Sequence, residues 1–183
     1  MQNVVSEGKF ASSLKIWTVG HSTRELADFV DLLRSNEIQL IVDVRSLPGS
    51  RKFPHFNAEM LGPELRETGI DYIPMKSLGG RRKTRPDSPN TVWRNASFRG
   101  YADYMETSEF EEGIQDLLEI AARKRTAIMC AEAVWWRCHR SMIADFLKSA
   151  GITVEHIMDG KNVVHRFTKA AKIVDGKLVY GAA

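Results

Sequence analysis

The amino-acid sequence predicts a single α/β domain in which helices cover both faces of a mostly parallel sheet. Short apolar runs, typical of buried strands, alternate with amphipathic helical segments. Near the end of the chain, Asp175-Gly176 separates two alternating segments within residues 172–180, which predicts a C-terminal β-hairpin. A chain of 183 residues suits one compact domain. We expect residues 15–183 to form this domain and residues 1–14 to form a flexible N-terminal tail.

Five short runs rich in apolar residues predict the strands of the sheet. They are residues 15–20, 39–44, 72–75, 126–130 and 152–157. Connections of strand, helix and parallel strand are right-handed, and they bring the carboxyl ends of the strands to one edge of the sheet.

The segments between these strands have the apolar spacing of helices. In the first, apolar residues recur at helical spacing from Leu26 to Leu33, and Thr23 is the expected N-cap. The other predicted helices are residues 57–67, a region 100–124 in two pieces that meet near Thr107 or Ser108, and residues 138–150.

Composition narrows the class of protein. Cys130 and Cys138 are the only cysteines, which is no disulfide framework and is consistent with a reducing compartment. No apolar segment has the length of a signal peptide or a membrane span. We therefore expect a cytoplasmic protein with no membrane partner. The sequence does not predict the oligomeric state.

Polar or reactive side chains follow three of the five strands. They are His21 and Ser22 after the first strand, Asp43 and Arg45 around the end of the second, and Cys130 and Glu132 after the fourth. Because α/β sheets bind ligands outside the carboxyl ends of their strands, these residues predict a functional site at that edge.

The segment after the fourth strand combines thiols with positive charge. Arg137 precedes Cys138-His139-Arg140, the start of a predicted helix whose unpaired N–H groups can bind an anion. A thiol directed there should have a lowered pKa. Cys130 is then the candidate nucleophile and Cys138 its resolving partner; the alternative is that both thiols are small buried hydrophobes.

Two carboxylates are candidates for acid–base catalysis. Glu132 or Asp43 could act as acid or base, with His21 orienting or polarising the substrate. An ion pair between Glu132 and Arg45, Arg137 or Arg140 is the competing interpretation.

Zinc ligation by Cys130, Cys138, His139 and either His21 or Glu132 is a further alternative. There is no Cys-x-x-Cys pair, and adjacent residues diverge on a helix. We therefore expect no metal and no other cofactor.

A basic segment spans residues 81–94. It contains five basic residues and one acidic residue, and Pro86 and Pro89 predict an exposed loop. Such a loop can bind phosphate or nucleic acid, or it can simply be solvated.

Several motifs together resemble a known family. VGHSTRELADFVDLL, LIVDVRSLPGSR, FRGYADYM and CAEAVWWRCHRSMIADFL resemble domain of unknown function family 488, over about residues 16–159. The resemblance implies that five triplets belong to the family pattern: Gly20-His21-Ser22, Asp43-Val44-Arg45, Arg99-Gly100-Tyr101, Cys130-Ala131-Glu132 and Cys138-His139-Arg140. Arg99 and Tyr101 thereby join the candidate substrate-binding residues.

A more distant similarity is to rhodanese-like sulfurtransferases. Asp43-Val44-Arg45, Cys130, Arg140-Ser141 and Asp159-Gly160 occupy the corresponding places. The nine residues between Cys130 and Arg140 exceed the short anion-binding loop of that family.

Three hypotheses follow. The leading one is an enzyme acting on a phosphate-bearing substrate, a nucleotide or a nucleic acid, which Ser22, Arg45, Arg99, Tyr101, Arg137, Cys138, His139 and Arg140 would bind. The second is sulfur transfer or redox chemistry at Cys130. The third is a non-enzymatic nucleic-acid binding module that uses the basic loop.

Overall fold

The computed structural model describes residues 14–181 and confirms the predicted α/β fold. The expected flexible tail falls, except for Leu14, outside the described residues. The strands are β1 (Lys15–Gly20), β2 (Leu40–Asp43), β3 (Asp71–Pro74), β4 (Thr126–Cys130), β5 (Thr153–Met158), β6 (Lys161–Val164), β7 (Lys172–Val174) and β8 (Lys177–Val179). The helices are α1 (Leu26–Ser35), α2 (Ala58–Glu67), α3 (Ala96–Tyr104), α4 (Ser108–Ala121) and α5 (Arg140–Ser149).

Six strands form one sheet in the order β3-β2-β4-β1-β5-β6. The first five are parallel, as the sequence predicts, and β6 is antiparallel to β5. The sequence-based prediction omitted β6, although Asp159-Gly160 between Met158 and Lys161 is a hairpin signal of the kind recognised at Asp175-Gly176. The hairpin of β7 and β8 is confirmed.

Helices cover both faces of the sheet, as predicted. One buried cluster unites α1 and α2 with Trp17, Ile41 and Met129 of the strands. The other unites α3, α4 and α5 with Ile16, Val42 and other strand residues of opposite parity. Because neighbouring strand residues face opposite sides, each central strand contributes to both clusters.

The chain crosses the sheet in one direction from β1 through β2 to β3 and returns in the other direction through β4 to β5. The connections after β1 and β2 pass over the face that α1 and α2 cover, whereas the connection after β4 uses α5 on the other face. The loop after β4 therefore leads to one face of the sheet, and the loops after its neighbours β1 and β2 lead to the other face. Such a switch point is where open α/β sheets bind ligands.

Three helix starts differ from the sequence-based boundaries. Helix α1 begins at Leu26, and its N-cap is Glu25, without a side-chain hydrogen bond, so Thr23 is not the cap. Helix α3 begins at Ala96 because the Asn95 side chain accepts a hydrogen bond from the Ser97 N–H. Helix α5 begins at Arg140, and Cys138 before it is extended. The break at Thr107 is confirmed, since Thr107 caps α4.

Within residues 14–181, none of the helices combines the length and the apolar character needed to cross a membrane.

A buried chain of hydrogen bonds connects the middle of the sheet to the C-terminal segment. Thr18 Oγ1 lies 2.7 Å from His156 Nδ1, and His156 Nε2 lies 2.9 Å from His165 Nδ1. His165 Nε2 lies 2.9 Å from a carboxylate oxygen of Asp145, which also accepts hydrogen bonds from Thr168 and Tyr180. This network connects α5 to β1, β5 and the segment that ends at Tyr180.

Stability should depend on pH through His156. Burial, followed by the neighbouring charges of His165 and Arg140, lowers the pKa of His156 from 6.5 to about 2. Below pH 6.5 the unfolded chain therefore binds a proton on His156, whereas the folded chain leaves His156 neutral. The free energy of unfolding is highest above pH 6.5 and falls as the pH decreases below that value. At about pH 5 the loss through His156 alone should be about 2 kcal/mol.

Urea unfolding at neutral pH and at about pH 5 measures this loss. In the His156→Gln variant the decrease on acidification should be smaller than in the wild-type chain by that amount. An equal decrease in both proteins would contradict the assignment.

Candidate active site at the carboxyl ends of β1, β2 and β4

Two thiols and one imidazole converge where β4 ends. Cys130 is the last residue of β4, and Cys138 and His139 directly precede α5. The Nδ1 atom of His139 lies 3.5 Å from Cys138 Sγ and 4.0 Å from Cys130 Sγ. The three atoms all lie within 4.8 Å of one another. We call these residues the Cys–His cluster.

The backbone directly after β2 fixes the orientation of His139. Its Nε2 atom donates a hydrogen bond to the Val44 carbonyl at 3.0 Å, because a carbonyl oxygen can only accept. In the neutral imidazole, Nδ1 then carries the lone pair and faces the two sulfur atoms. Tyr101 packs edge-on against the same ring, at 5.0 Å between ring centroids.

The two thiols have opposite pKa shifts. Hydrogen bonding to Cys138, together with burial, raises the pKa of Cys130 well above its ordinary value. Burial also acts to raise the pKa of Cys138, but contacts with Cys130 and His139 outweigh it and hold that pKa well below the ordinary value. The sequence-based expectation gave Cys130 the lowered pKa; the hydrogen bond between the two cysteines, together with the contact of Cys138 with His139, reverses the order.

Arg140 adds a buried positive charge beside the cluster. The side chain is 1% exposed, and its guanidinium donates to the Glu132 carbonyl and to Thr18 Oγ1. Within residues 14–181 it forms no ion pair, and its Nε has no hydrogen-bond partner. Its charge favours the thiolate forms of both cysteines, since it acts to lower the pKa of each.

Asp43, Arg45 and His21 form a separate buried network. The Asp43 carboxylate accepts hydrogen bonds from Nε and Nη2 of Arg45, from the Arg45 backbone N–H and from the Tyr72 hydroxyl. Arg45 also donates to the Phe56 carbonyl and to His21 Nε2. Asp43 is 1% exposed and Arg45 7% exposed, and the hydrogen-bonding partners of both side chains lie within the protein. The network therefore supports the Cys–His cluster through Val44, which lies between Asp43 and Arg45 in sequence and accepts the hydrogen bond of His139.

His21 remains neutral at physiological pH. Burial, followed by the charge of Arg45, lowers its pKa from 6.5 to about 4. Its Nδ1 bonds the Ser22 carbonyl at 3.0 Å, and its ring stacks on Phe56 with centroids 4.1 Å apart. Ser22 itself is half-buried with a φ of 53°.

The remaining predicted residues lie at the surface or support the loops. Glu132 is exposed and forms no ion pair within the described range; only its backbone carbonyl bonds Arg140. Arg137 is exposed. Tyr101 is buried, and its hydroxyl donates to the Leu78 carbonyl. Arg99 donates to the Trp93 carbonyl.

The basic loop begins directly at the cluster. Gly80 lies against His139, since a Cβ atom at Gly80 would be 3.0 Å from His139 Nδ1. The Ser46 hydroxyl, in the loop after β2, donates to the Gly80 carbonyl and holds this approach. Arg81, the next residue, is exposed. The local sequence signal for this contact is the Gly79-Gly80 pair.

Only some of the basic side chains of this loop are free of internal contacts and able to bind an anion. Arg82 stacks on Tyr104, donates to three backbone carbonyls and lies 3.7 Å from Glu109. Arg85 pairs with Glu106 at 2.7 Å. Arg81, Lys83 and Arg94 are exposed.

Two residues that support the site were not identified from the sequence: Tyr72 bonds Asp43, and Phe56 stacks on His21. Trp135, which the sequence marks as an aromatic residue able to stack on a base, stacks on His156 at 4.2 Å between centroids. Trp135 is thus already paired with another ring, while Trp136 is 53% exposed. The proximity of Trp135 to a strand-end cysteine offered a signal, but its partner is distant in sequence.

A cavity of about 700 Å³ lies elsewhere, along the edge strand β3 between α2 and α4. Its lining includes Tyr72, Met75 and Ile120 and none of the cluster residues.

Comparison with models of protein families confirms the family resemblance that the sequence motifs indicate. The model of the Domain of unknown function DUF488 matches residues 25–147. The chain belongs to this family. No curated protein and no solved structure matches the chain. The rhodanese-like similarity and the chemistry that it implies therefore stay predictions.

Membership in DUF488 gives the family triplets a structural interpretation in this chain. Arg99 bonds the basic loop, and Tyr101 packs on His139. Gly100, between them, lets the loop backbone approach α3, because a Cβ there would lie 2.2 Å from the Arg82 carbonyl oxygen. This triplet therefore holds the basic loop against the cluster.

Replacing Gly100 with alanine tests this close approach. Helix propensity alone would stabilise the variant by about 1 kcal/mol. The contact with Arg82 instead predicts a loss of about 1–3 kcal/mol, as in overpacked sites. Urea unfolding distinguishes the two signs, and Gly49→Ala, in an open loop position, should stay within about 0.5 kcal/mol of wild type. A stabilised Gly100→Ala variant would contradict the packing described.

Proposed function

We propose that this DUF488 protein is an enzyme that binds a phosphate-bearing substrate, a nucleotide or a nucleic acid, and acts on it at the Cys–His cluster. The contact between Gly80 and His139 carries the proposal, because it brings the start of the basic loop to the reactive side chains. A positively charged rim and a nucleophilic or metal-binding centre are thereby adjacent.

Two exposed cations are the candidates for the phosphate contacts. Arg81 follows Gly80, and Arg137 precedes Cys138. Neither forms an ion pair with another residue of 14–181, so each can bind an anion without breaking an internal contact. Trp136, exposed and adjacent to Arg137, offers an aromatic face on which a base can stack.

The buried residues have supporting roles in this proposal. Asp43 and Arg45 pair with each other and hold His21, so they fix the strand ends rather than contact the substrate. The Val44 carbonyl, between them in sequence, orients His139. In this proposal Asp43 is therefore not the acid or base.

Charge-neutralising variants test the substrate class. Arg81→Gln and Arg137→Gln should each weaken binding of a labelled single-stranded oligonucleotide and of a nucleoside triphosphate. For the oligonucleotide, each should reduce the slope of log affinity against log salt by about one phosphate contact. Fluorescence anisotropy at several salt concentrations measures both effects.

Arg123→Gln is the matched control, since Arg123 is exposed at the end of α4 and lines the distant β3 cavity. It should bind as the wild-type chain does. Equal affinities for all three variants, or binding that does not respond to salt, would overturn the proposal.

A further inference from the structure

The donor atoms of the Cys–His cluster have the composition of a zinc site. Thiolate sulfur and imidazole nitrogen are the ligands that zinc prefers among protein side chains. Cys130, Cys138 and His139 present two sulfur atoms and one nitrogen within 4.8 Å of one another. No other group of three or more such ligands occurs within residues 14–181.

The distances agree with tetrahedral coordination. With bonds of about 2.3 Å to sulfur and about 2.0 Å to nitrogen, tetrahedral zinc separates a sulfur from a nitrogen by about 3.5 Å. The observed distances from His139 Nδ1 are 3.5 Å to Cys138 and 4.0 Å to Cys130. Tetrahedral zinc separates two sulfur ligands by about 3.8 Å, and the Sγ atoms of Cys130 and Cys138 lie within 4.8 Å of each other.

The surroundings of His139 match those of a metal ligand. Its Nε2–H is bonded to the Val44 carbonyl, which leaves the Nδ1 lone pair directed at the sulfur atoms. Metal-binding histidines commonly donate their second N–H to a carbonyl or carboxylate in this way, which fixes the ring.

The sequence argued against a metal because Cys138 and His139 are adjacent and should diverge on a helix. The structure removes that objection, since α5 begins only at Arg140. Cys138 has extended backbone angles, φ −131° and ψ 151°, whereas His139 is helical. This change of backbone conformation between neighbours lets both side chains point to the same place.

We propose that Cys130, Cys138 and His139 bind one zinc ion with an open fourth position. Three protein ligands plus water or substrate are typical of catalytic zinc, whereas structural zinc has four protein ligands. The open position would accept water or a substrate oxygen, nitrogen or sulfur atom. That catalytic part rests on the proposed function, whereas the binding of the ion does not.

Cobalt substitution tests the site directly. The 183-residue chain is freed of metal with a chelator and titrated with Co²⁺ under reducing conditions. One equivalent should produce the visible bands of tetrahedral cobalt and a near-ultraviolet thiolate-to-cobalt band. The latter can come only from Cys130 and Cys138, the two cysteines of the chain.

Single-ligand variants identify the donors. Cys130→Ser, Cys138→Ser and His139→Asn should each weaken zinc binding by more than about 100-fold, beyond the loss typical of residues that only support a ligand. His55→Asn, a histidine outside the cluster, should leave the affinity unchanged. Circular dichroism of each variant shows whether it folds.

A measurement on the wild-type chain avoids dependence on variants. Stoichiometric zinc should protect both thiols from alkylation, as followed by intact-mass spectrometry. Alkylation at the same rate with and without zinc, or cobalt bound without a thiolate band, would overturn the metal site. Because these experiments use no substrate, their failure leaves the oligonucleotide and nucleotide measurements as an independent test of the proposed function.

Discussion

The position of β4 between β1 and β2 determines where the reactive side chains of this chain meet. At its end, the Cys130 carbonyl accepts a hydrogen bond from His21, and the Met129 carbonyl accepts one from Val44. The residues that follow β1 and β2 are thus bonded to β4 from opposite sides. After β4 the chain leads to α5 on the other face of the sheet. Cys138 and His139, which directly precede α5, therefore lie at the same strand ends. The Cys–His cluster therefore forms because β4 is inserted between β1 and β2.

The polar groups at this edge form two sets, the network of Asp43, Arg45 and His21 and the Cys–His cluster. Asp43 and Arg45 are both buried, and removal of two charges from water is tolerated only when their hydrogen bonds are satisfied. Asp43 accepts from Arg45 and Tyr72, and Arg45 reaches Phe56 and His21. This arrangement holds the backbone at Val44, and Val44 in turn holds His139. Precise placement of a reactive side chain needs such a second layer of contacts.

Helix α5 is held at two points, which fixes the residues directly before it. At its first residue, Arg140 bonds Thr18 and the Glu132 carbonyl. Further along, Asp145 receives hydrogen bonds from His165, Thr168 and Tyr180. The C-terminal segment therefore contributes to the site indirectly, although none of its residues lies in the cluster. The stack of Trp135 on His156 adds a third attachment for the loop that leads to Cys138.

The sequence by itself determined the layered fold and the edge that carries the chemistry. Apolar periodicity located five parallel strands, and the rules for their connections brought His21, Asp43 and Cys130 to one edge. Only the tertiary structure decided which of these residues belong to the Cys–His cluster and which pair with one another beside it. Burial and partners separate Asp43 and Arg45 from the cluster, and a backbone change at Cys138 turns neighbouring side chains together. Gly80 reaches His139 from far along the chain. Local sequence patterns do not encode such contacts, because each depends on distant segments packed against the same strand ends.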